Sequence, residues 1–213
     1  MSSFLLGLDL GQAQDFSALT IAEVRDVPTG ELHGDDSEKT TKHYDFRHLE
    51  RWPLGTSYPA IVAAVVARCA ALPQPSRHDI TPQLVVDSTG VGRPIVDLLR
   101  AAQPRADLVP VTITGGAAAS YDEASGYWHT PKRDLASTLA VLLQSGRLNV
   151  APALPDAAVL QQELLGFKVK ISAATGNDSY SAWRENQHDD LVLAAALACW
   201  WSERPRHWLW RVV

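Results

Sequence analysis

The sequence predicts an α/β fold in which a mixed sheet is flanked by helices. Three observations carry that expectation. Three strand-like segments come first, and helical and strand-like segments then alternate. No linker, repeat or low-complexity tract divides the 213 residues, so residues 1–213 read as one domain.

Residues 3–10 form a first apolar strand, and Gly11 to Phe16 connects it to a second over 17–27. Ala18 to Val24 there is rich in residues that suit a sheet. Pro28 to Lys39 is polar and holds Gly30, Gly34, Asp35 and Asp36, so it reads as a loop or hairpin tip. A third strand over 41–50 completes an antiparallel meander. Ser57 to Leu72 carries Ile61, Val62, Val65, Val66 and Cys69 at helical spacing, and Pro73 and Pro75 end it. Gln83 to Asp87 is a short buried strand. Gly92 to Ala102 is a helix with Pro94 in its first turn, where a missing N–H costs little. Asp107 to Thr114 is a strand closed by Gly115-Gly116. Gly116 to Thr130 reads as a polar, small-residue loop carrying Tyr121, Tyr127 and Trp128. Pro131 opens a helix through Leu135, Leu139, Leu142 and Leu143, and Pro155 to Leu165 is another. Phe167 to Ile171 and Tyr180 to Arg184 read as a hairpin around Gly176-Asn177. The last helix runs from Gln187 to Ser202.

The formal charge of −5 argues against a broad basic surface, although basic residues can still cluster locally. Cys69 and Cys199 lie in Ala-rich helical stretches and read as buried, reduced thiols, with no zinc-type spacing. Nothing at the N-terminus resembles a signal segment, and no uncharged apolar run of about 18 residues exists. The expectation is a cytoplasmic protein that does not engage a membrane.

Three positions place carboxylates where apolar elements should exclude them. Asp9 interrupts the run Phe4 to Leu10. Asp87 ends Leu84-Val85-Val86 and precedes Ser-Thr-Gly. Asp189 and Asp190 open a helix whose body is Leu191 to Ala198. Ionised carboxylates are rarely buried unless paired or holding a metal. Mg²⁺ and Mn²⁺ prefer such oxygen ligands, and two ions can activate water and stabilise a leaving oxygen at a phosphodiester. Each residue has a structural alternative: a turn for Asp9, a helix cap for Asp87, and a helix N-terminus for Asp189 or Asp190.

In GLDLGQAQDFSAL at 7–19, VVDSTGVGRPIVDLL at 85–99, VTITGG at 111–116, PKRDL at 131–135 and HDDLVLAAALA at 188–198, the chain resembles the C-terminal nuclease domain of phage terminase large subunits. Those domains belong to the RNase H-like superfamily. The resemblance implies an RNase H-like fold of the mixed five-stranded type, with an added hairpin. It implies a metal-dependent DNA endonuclease that cuts concatemeric viral DNA during packaging, using Mg²⁺ or Mn²⁺, as two ions. The family's acidic ligands fall on Asp9, Asp87, Asp189 and Asp190. A further Asp common in related sequences is replaced here by Leu193. No GxxxxGK[ST] loop is present, so no ATPase domain is expected. Double-stranded DNA is the implied partner, with a separate packaging ATPase, portal or small terminase subunit alongside, inside a bacterial host cell.

Lys132 and Arg133 open a helix, where cations are mildly unfavourable, which suits a phosphate contact or a solvated pair. Lys168 and Lys170 alternate on the expected strand and share one face, which with Arg184 reads as a DNA-facing patch or as a plain exposed hairpin. His188 and Asp15 stand near the acidic segments, as site residues or as turn and cap neighbours. Trp200, Trp201, Trp208 and Trp210 crowd the C-terminus, where core packing is the default reading. Competing functions are a Holliday-junction-resolvase-like nuclease, an actin-like ATPase domain, which needs a second lobe, and a non-catalytic packaging module.

Overall fold

The computed structural model describes residues 2–11, 15–73, 80–90, 93–174 and 189–204. Its centre is an eight-stranded mixed sheet in the order β6-β7-β5-β4-β1-β2-β3-β8. The strands are β1 (Ser2–Asp9), β2 (Ser17–Leu32), β3 (Glu38–Trp52), β4 (Gln83–Asp87), β5 (Asp107–Thr114), β6 (Ser120–Asp122), β7 (Tyr127–Pro131) and β8 (Leu148–Val150). The helices are α1 (Tyr58–Ala71), α2 (Arg93–Ala102), α3 (Lys132–Gln144), α4 (Ala157–Ala174) and α5 (Asp190–Glu203).

The antiparallel β1-β2-β3 meander forms as expected, because each strand can reach its neighbour through a short connection. β4, β5 and β7 then add in parallel, each reached through a longer crossover. Alternation along β1 divides the core. Leu5 packs with α3 and α5 residues on one face. Leu6 and Leu8 pack with Ile61, Val65 and Leu99 of α1 and α2 on the other. Helices therefore cover both faces of the sheet.

Several sequence expectations need correction. The segment 116–130 is no open loop: β6 and β7 pair there as an antiparallel hairpin. Tyr127 and Trp128 are buried in it, and Trp128 meets Tyr121 and Trp201 at ring centroid distances of 4.9 and 5.4 Å. The sheet also gains β8, which is too short to announce itself. The Pro28 to Lys39 tip is mostly strand, because β2 and β3 run on as a two-stranded ribbon beyond the Ser2–Arg25 pair that starts β1. Phe167 to Ile171 is not a strand, because α4 continues through it to Ala174. The period-two reading of Phe167, Val169 and Ile171 competes with a helical one, since Leu160, Leu164, Phe167 and Ile171 also fall at helical spacing. Lys168 and Lys170 thus lie on a helix rather than sharing a strand face. Tyr180 to Arg184, His188, Trp208 and Trp210 lie outside the described residues, as does the expected turn at Gly176-Asn177.

α5 lies against the sheet so closely that Gly7 has no room for a side chain. A Cβ there would fall 1.8 Å from the Ala194 carbonyl oxygen and 3.3 Å from the Ala198 Cβ. Its C-terminal end is tied to Gln83, the first residue of β4, and to Tyr44 of β3, which lies level with Ser3 near the start of β1. The Trp201 indole donates to Gln83 Oε1 at 2.8 Å, and the Tyr44 hydroxyl bonds the Glu203 carboxylate. α5 therefore runs antiparallel to β1 and β4, and its first turn stands over their C-terminal ends. Among the described residues no helix is long and apolar enough to cross a membrane. Both cysteines are buried free thiols, as expected.

Candidate active site

The register of the sheet brings charged residues into one transverse row. β1 and β4 pair in parallel with Leu8 opposite Val86, so Asp9 falls beside Asp87. Neighbouring strands lie about 4.8 Å apart. Asp87 pairs with Val111 on its other side, Asp9 with Ala18, and Ala18 with Arg51. Residues opposite one another point to the same face, here the face that α5 covers, since Val111 and Ala18 belong to that core. The row reads Val111, Asp87, Asp9, Ala18, Arg51. Small Ala18 separates the acidic pair from the guanidinium.

The helix turn that carries Asp190 stands over this row. Gly7 touches Ala194, and Asp9 lies two residues further along the same face of β1. Asp190 lies one turn back from Ala194 on the same face of α5. Both steps lead about 6 Å in the same direction. Asp9, Asp87 and Asp190 are 7%, 2% and 6% exposed. Asp189 is half-buried at the N-cap position, and its side chain makes no cap hydrogen bond. Asp87 also orders its own turn, with Oδ1 accepting the Thr89 N–H at 2.7 Å. Ser88 and Thr89 stitch that turn to β5 through Val111 and Ile113. The loop after β1 is held where Ser17 Oγ accepts the Gly11 N–H and the Tyr58 hydroxyl donates to the Gly11 carbonyl, each at 3.0 Å.

Two residues of this centre were not read from the sequence. Glu163 of α4 is buried, and its Oε2 accepts the Val192 N–H at 3.0 Å. Its Oε1 stands 3.6 Å from Arg51 Nη1. Arg51 also lies over the Phe16 ring, 4.4 Å from the centroid. The signal for Glu163 was present: Ala157, Leu160 and Glu163 fall at i, i+3 and i+6 on the buried stripe of α4. Arg51 carries no local signal, because only the register places it in the row.

Burial pushes the Asp190 carboxyl up to about 7, helped by the charge of Asp189 and opposed by Arg51, with exposed Asp15 adding a smaller upward push. Burial likewise raises Glu163 to about 7; the Val192 N–H opposes the rise and Asp190 adds to it. Asp190 Oδ2 and Glu163 Oε1 are buried without a hydrogen-bond partner. Such oxygens suit a hard divalent cation, whose charge would offset the burial and the repulsion that raise these two groups. Among the described residues no three His, Cys, Asp or Glu side chains close into a ready-made ligand set. A magnesium site normally takes only one or two carboxylates and fills its other positions with water and phosphate. The donor set therefore fits Mg²⁺ or Mn²⁺ chemically.

Lys132 and Arg133 begin α3 at the C-terminal end of β7. That strand runs parallel to β5, so both residues stand at the same sheet edge as Asp9 and Asp87. Arg133 also donates to the Ala117 carbonyl and lies 3.7 Å from Asp134. Arg184 and His188 lie outside the described residues, and Lys168 and Lys170 are placed only as positions on α4.

The fold is that of terminase nuclease domains. The large terminase nuclease of thermophilic phage G20c matches 96% of this chain over 83% of its own, with a TM-score of 0.52 and 21% identity. The human cytomegalovirus terminase nuclease domain, soaked with Mn and inhibitor-bound, matches 93% of this chain over 82% of its own, with a TM-score of 0.54 and 10% identity. The same domain, Mn-soaked, covers 91% and 81% with a TM-score of 0.51 and 10% identity. No protein-family model matches the chain, and no curated protein matches it in sequence. The expected RNase H-like architecture is met, with the β3-β2-β1-β4-β5 core widened to eight strands.

Proposed function

We propose that this chain is a metal-dependent endonuclease that hydrolyses duplex DNA, of the kind that cuts concatemeric viral DNA during packaging. The observation supporting it most strongly is that Asp9 and Asp87 end adjacent parallel strands beneath the first turn of α5, which carries Asp190. Asp9, Asp87 and Asp190, with Asp189 beside them, would hold Mg²⁺ or Mn²⁺, which supplies Lewis-acid activation of water and charge stabilisation at the phosphodiester.

The chain's own residues account for the rest. Paired strands fix Asp9 and Asp87, so their carboxylates need little reorganisation. Thr89 N–H orients the Asp87 carboxylate. Arg51 limits the repulsion within the acidic group, acting on both Asp190 and Glu163. Lys132 and Arg133 offer positive charge at the same edge to the DNA backbone, a sequence-independent contact that implies little base preference. Lys168, Lys170, Arg184 and His188 are further candidates for that contact. A separate packaging ATPase, portal or small terminase subunit would complete the machinery in a bacterial host cell.

A plasmid-nicking assay with Mg²⁺ or Mn²⁺, and with the metals removed by EDTA, tests this reading. Metal-dependent nicking of several unrelated plasmids is expected. Cleavage unaffected by chelation, or none with either metal, would overturn it.

A further inference from the structure

The first turn of α5 is capped from another helix. Its N-cap residue, Asp189, makes no side-chain cap hydrogen bond. The Val192 N–H, in that first turn, is instead taken by Glu163 Oε2 of α4 at 3.0 Å. The Glu163 side chain is only 5% exposed, and its second oxygen faces Arg51 Nη1 at 3.6 Å. Arg51 belongs to the transverse row that holds Asp9 and Asp87. One carboxylate therefore links the turn carrying Asp190 to the strand row below it.

We propose that Glu163 is a positioning residue for Asp190, holding the α5 turn in register with Asp9 and Asp87 so that the three carboxylates can accept a divalent cation together. The inference rests on the metal-dependent reading above. A buried carboxyl group is a costly way merely to fill space, since a buried polar group costs free energy unless it is hydrogen-bonded. The burial makes physical sense if one oxygen fixes the Val192 amide and Arg51, beside the other oxygen, orients the side chain. Groups that orient metal ligands commonly change metal affinity about 10- to 100-fold when removed.

The test measures Mn²⁺ affinity by calorimetry on the full chain, together with amide hydrogen exchange at Val192 and cleavage kinetics. Glu163→Ala is expected to weaken Mn²⁺ binding about tenfold and to speed exchange at Val192, with KM for DNA essentially unchanged. Glu163→Gln keeps an oxygen able to accept the same N–H and is expected to recover most of both. Wild-type Mn²⁺ affinity in Glu163→Ala overturns this inference alone. A Gln variant as impaired as the Ala variant also overturns it, because charge rather than the hydrogen bond would then be the agent. If Glu163→Ala does not fold, Glu163→Gln decides: loss of Val192 protection or of Mn²⁺ affinity in it refutes the positioning role, and retention of both supports it. A wild-type chain that binds no Mn²⁺ overturns the proposed function and this inference with it.

Discussion

Substituting Gly7 by alanine tests the seating of α5 on the sheet and, through it, the assembly of the carboxylates. The new Cβ would lie 1.8 Å from the Ala194 oxygen and 2.7 Å from the Ala194 carbonyl carbon. Comfortable heavy-atom contacts begin near about 3.5 Å, so the helix must retreat by roughly 1.5 Å. Both obstructing atoms are backbone, so no rotamer change relieves the clash. Overpacking costs about 1–3 kcal/mol, and a backbone clash belongs at about 3. In a domain of this size each kcal/mol lowers Tm by about 2–4 °C, so a fall of about 6–12 °C is expected. Asp190 moves with its helix, and a displacement of about 1 Å at reacting groups can cost about 10²-fold in rate. Thermal melting and plasmid nicking on the same preparation read both effects. Gly34→Ala is the control, since a Cβ there meets nothing within 4 Å. Gly7→Ala that melts and cuts like the wild type would refute the close approach of α5 and the convergence built on it.

The site should also respond to charge and pH. Asp9→Asn and Asp87→Asn are each expected to abolish nicking at an equal or slightly higher Tm, because clustered carboxylates repel and the amide oxygen introduced by Asp87→Asn could still accept the Thr89 N–H; a variant that melts earlier yet cuts normally would show a structural role. Asp190 and Glu163 stand at about 7 in the folded chain against 3.8 and 4.5 as ordinary values, so between about pH 4 and pH 7 the folded state binds more protons than the unfolded one. Stability of the metal-free chain should therefore fall as pH rises from 5 towards 8, and Asp190→Asn should flatten that slope. Asp45 is held below its ordinary 3.8 chiefly by Arg25, and Glu50 below its ordinary 4.5 because Arg68 and His48 together outweigh its burial. Both act in the opposite sense, and only at lower pH. A wild-type Tm that does not change over this range would contradict the buried acidic pair. Trp201→Phe removes the bond to Gln83 and should cost about 1 kcal/mol while leaving nicking intact, as it acts at the far end of α5; a loss of nicking at unchanged Tm would count against that placement.

The central strands, α1, α2, α3 and α5 were legible because their apolar periods and their Pro and Gly boundaries agree with the tertiary environment. Asp9, Asp87 and Asp190 were legible for the converse reason: each breaks an apolar pattern, and all three are buried. The sequence left Asp189 and Asp190 equivalent. Position on α5 separates them, because Asp190 shares a helix face with Ala194, which lies on Gly7. The β6-β7 hairpin was hidden by the small and polar residues of 116–126, whose strand state comes from pairing beside β5 rather than from propensity. The end of α4 was obscured because one set of apolar residues satisfies two periods. Arg51 could not be found locally, since its place depends on two strand registers at once. Glu163 could have been found by treating a carboxylate on a buried helical stripe as seriously as one in a strand.

The central claim is that Asp9, Asp87 and Asp190 form one divalent-cation site. Its most direct test is a crystal of the full chain soaked with Mn²⁺ and measured at the manganese absorption edge. The account predicts anomalous density between these three carboxylates, absent in a matched Asp9→Asn crystal. Manganese bound only elsewhere, or no density at saturating Mn²⁺, would contradict it.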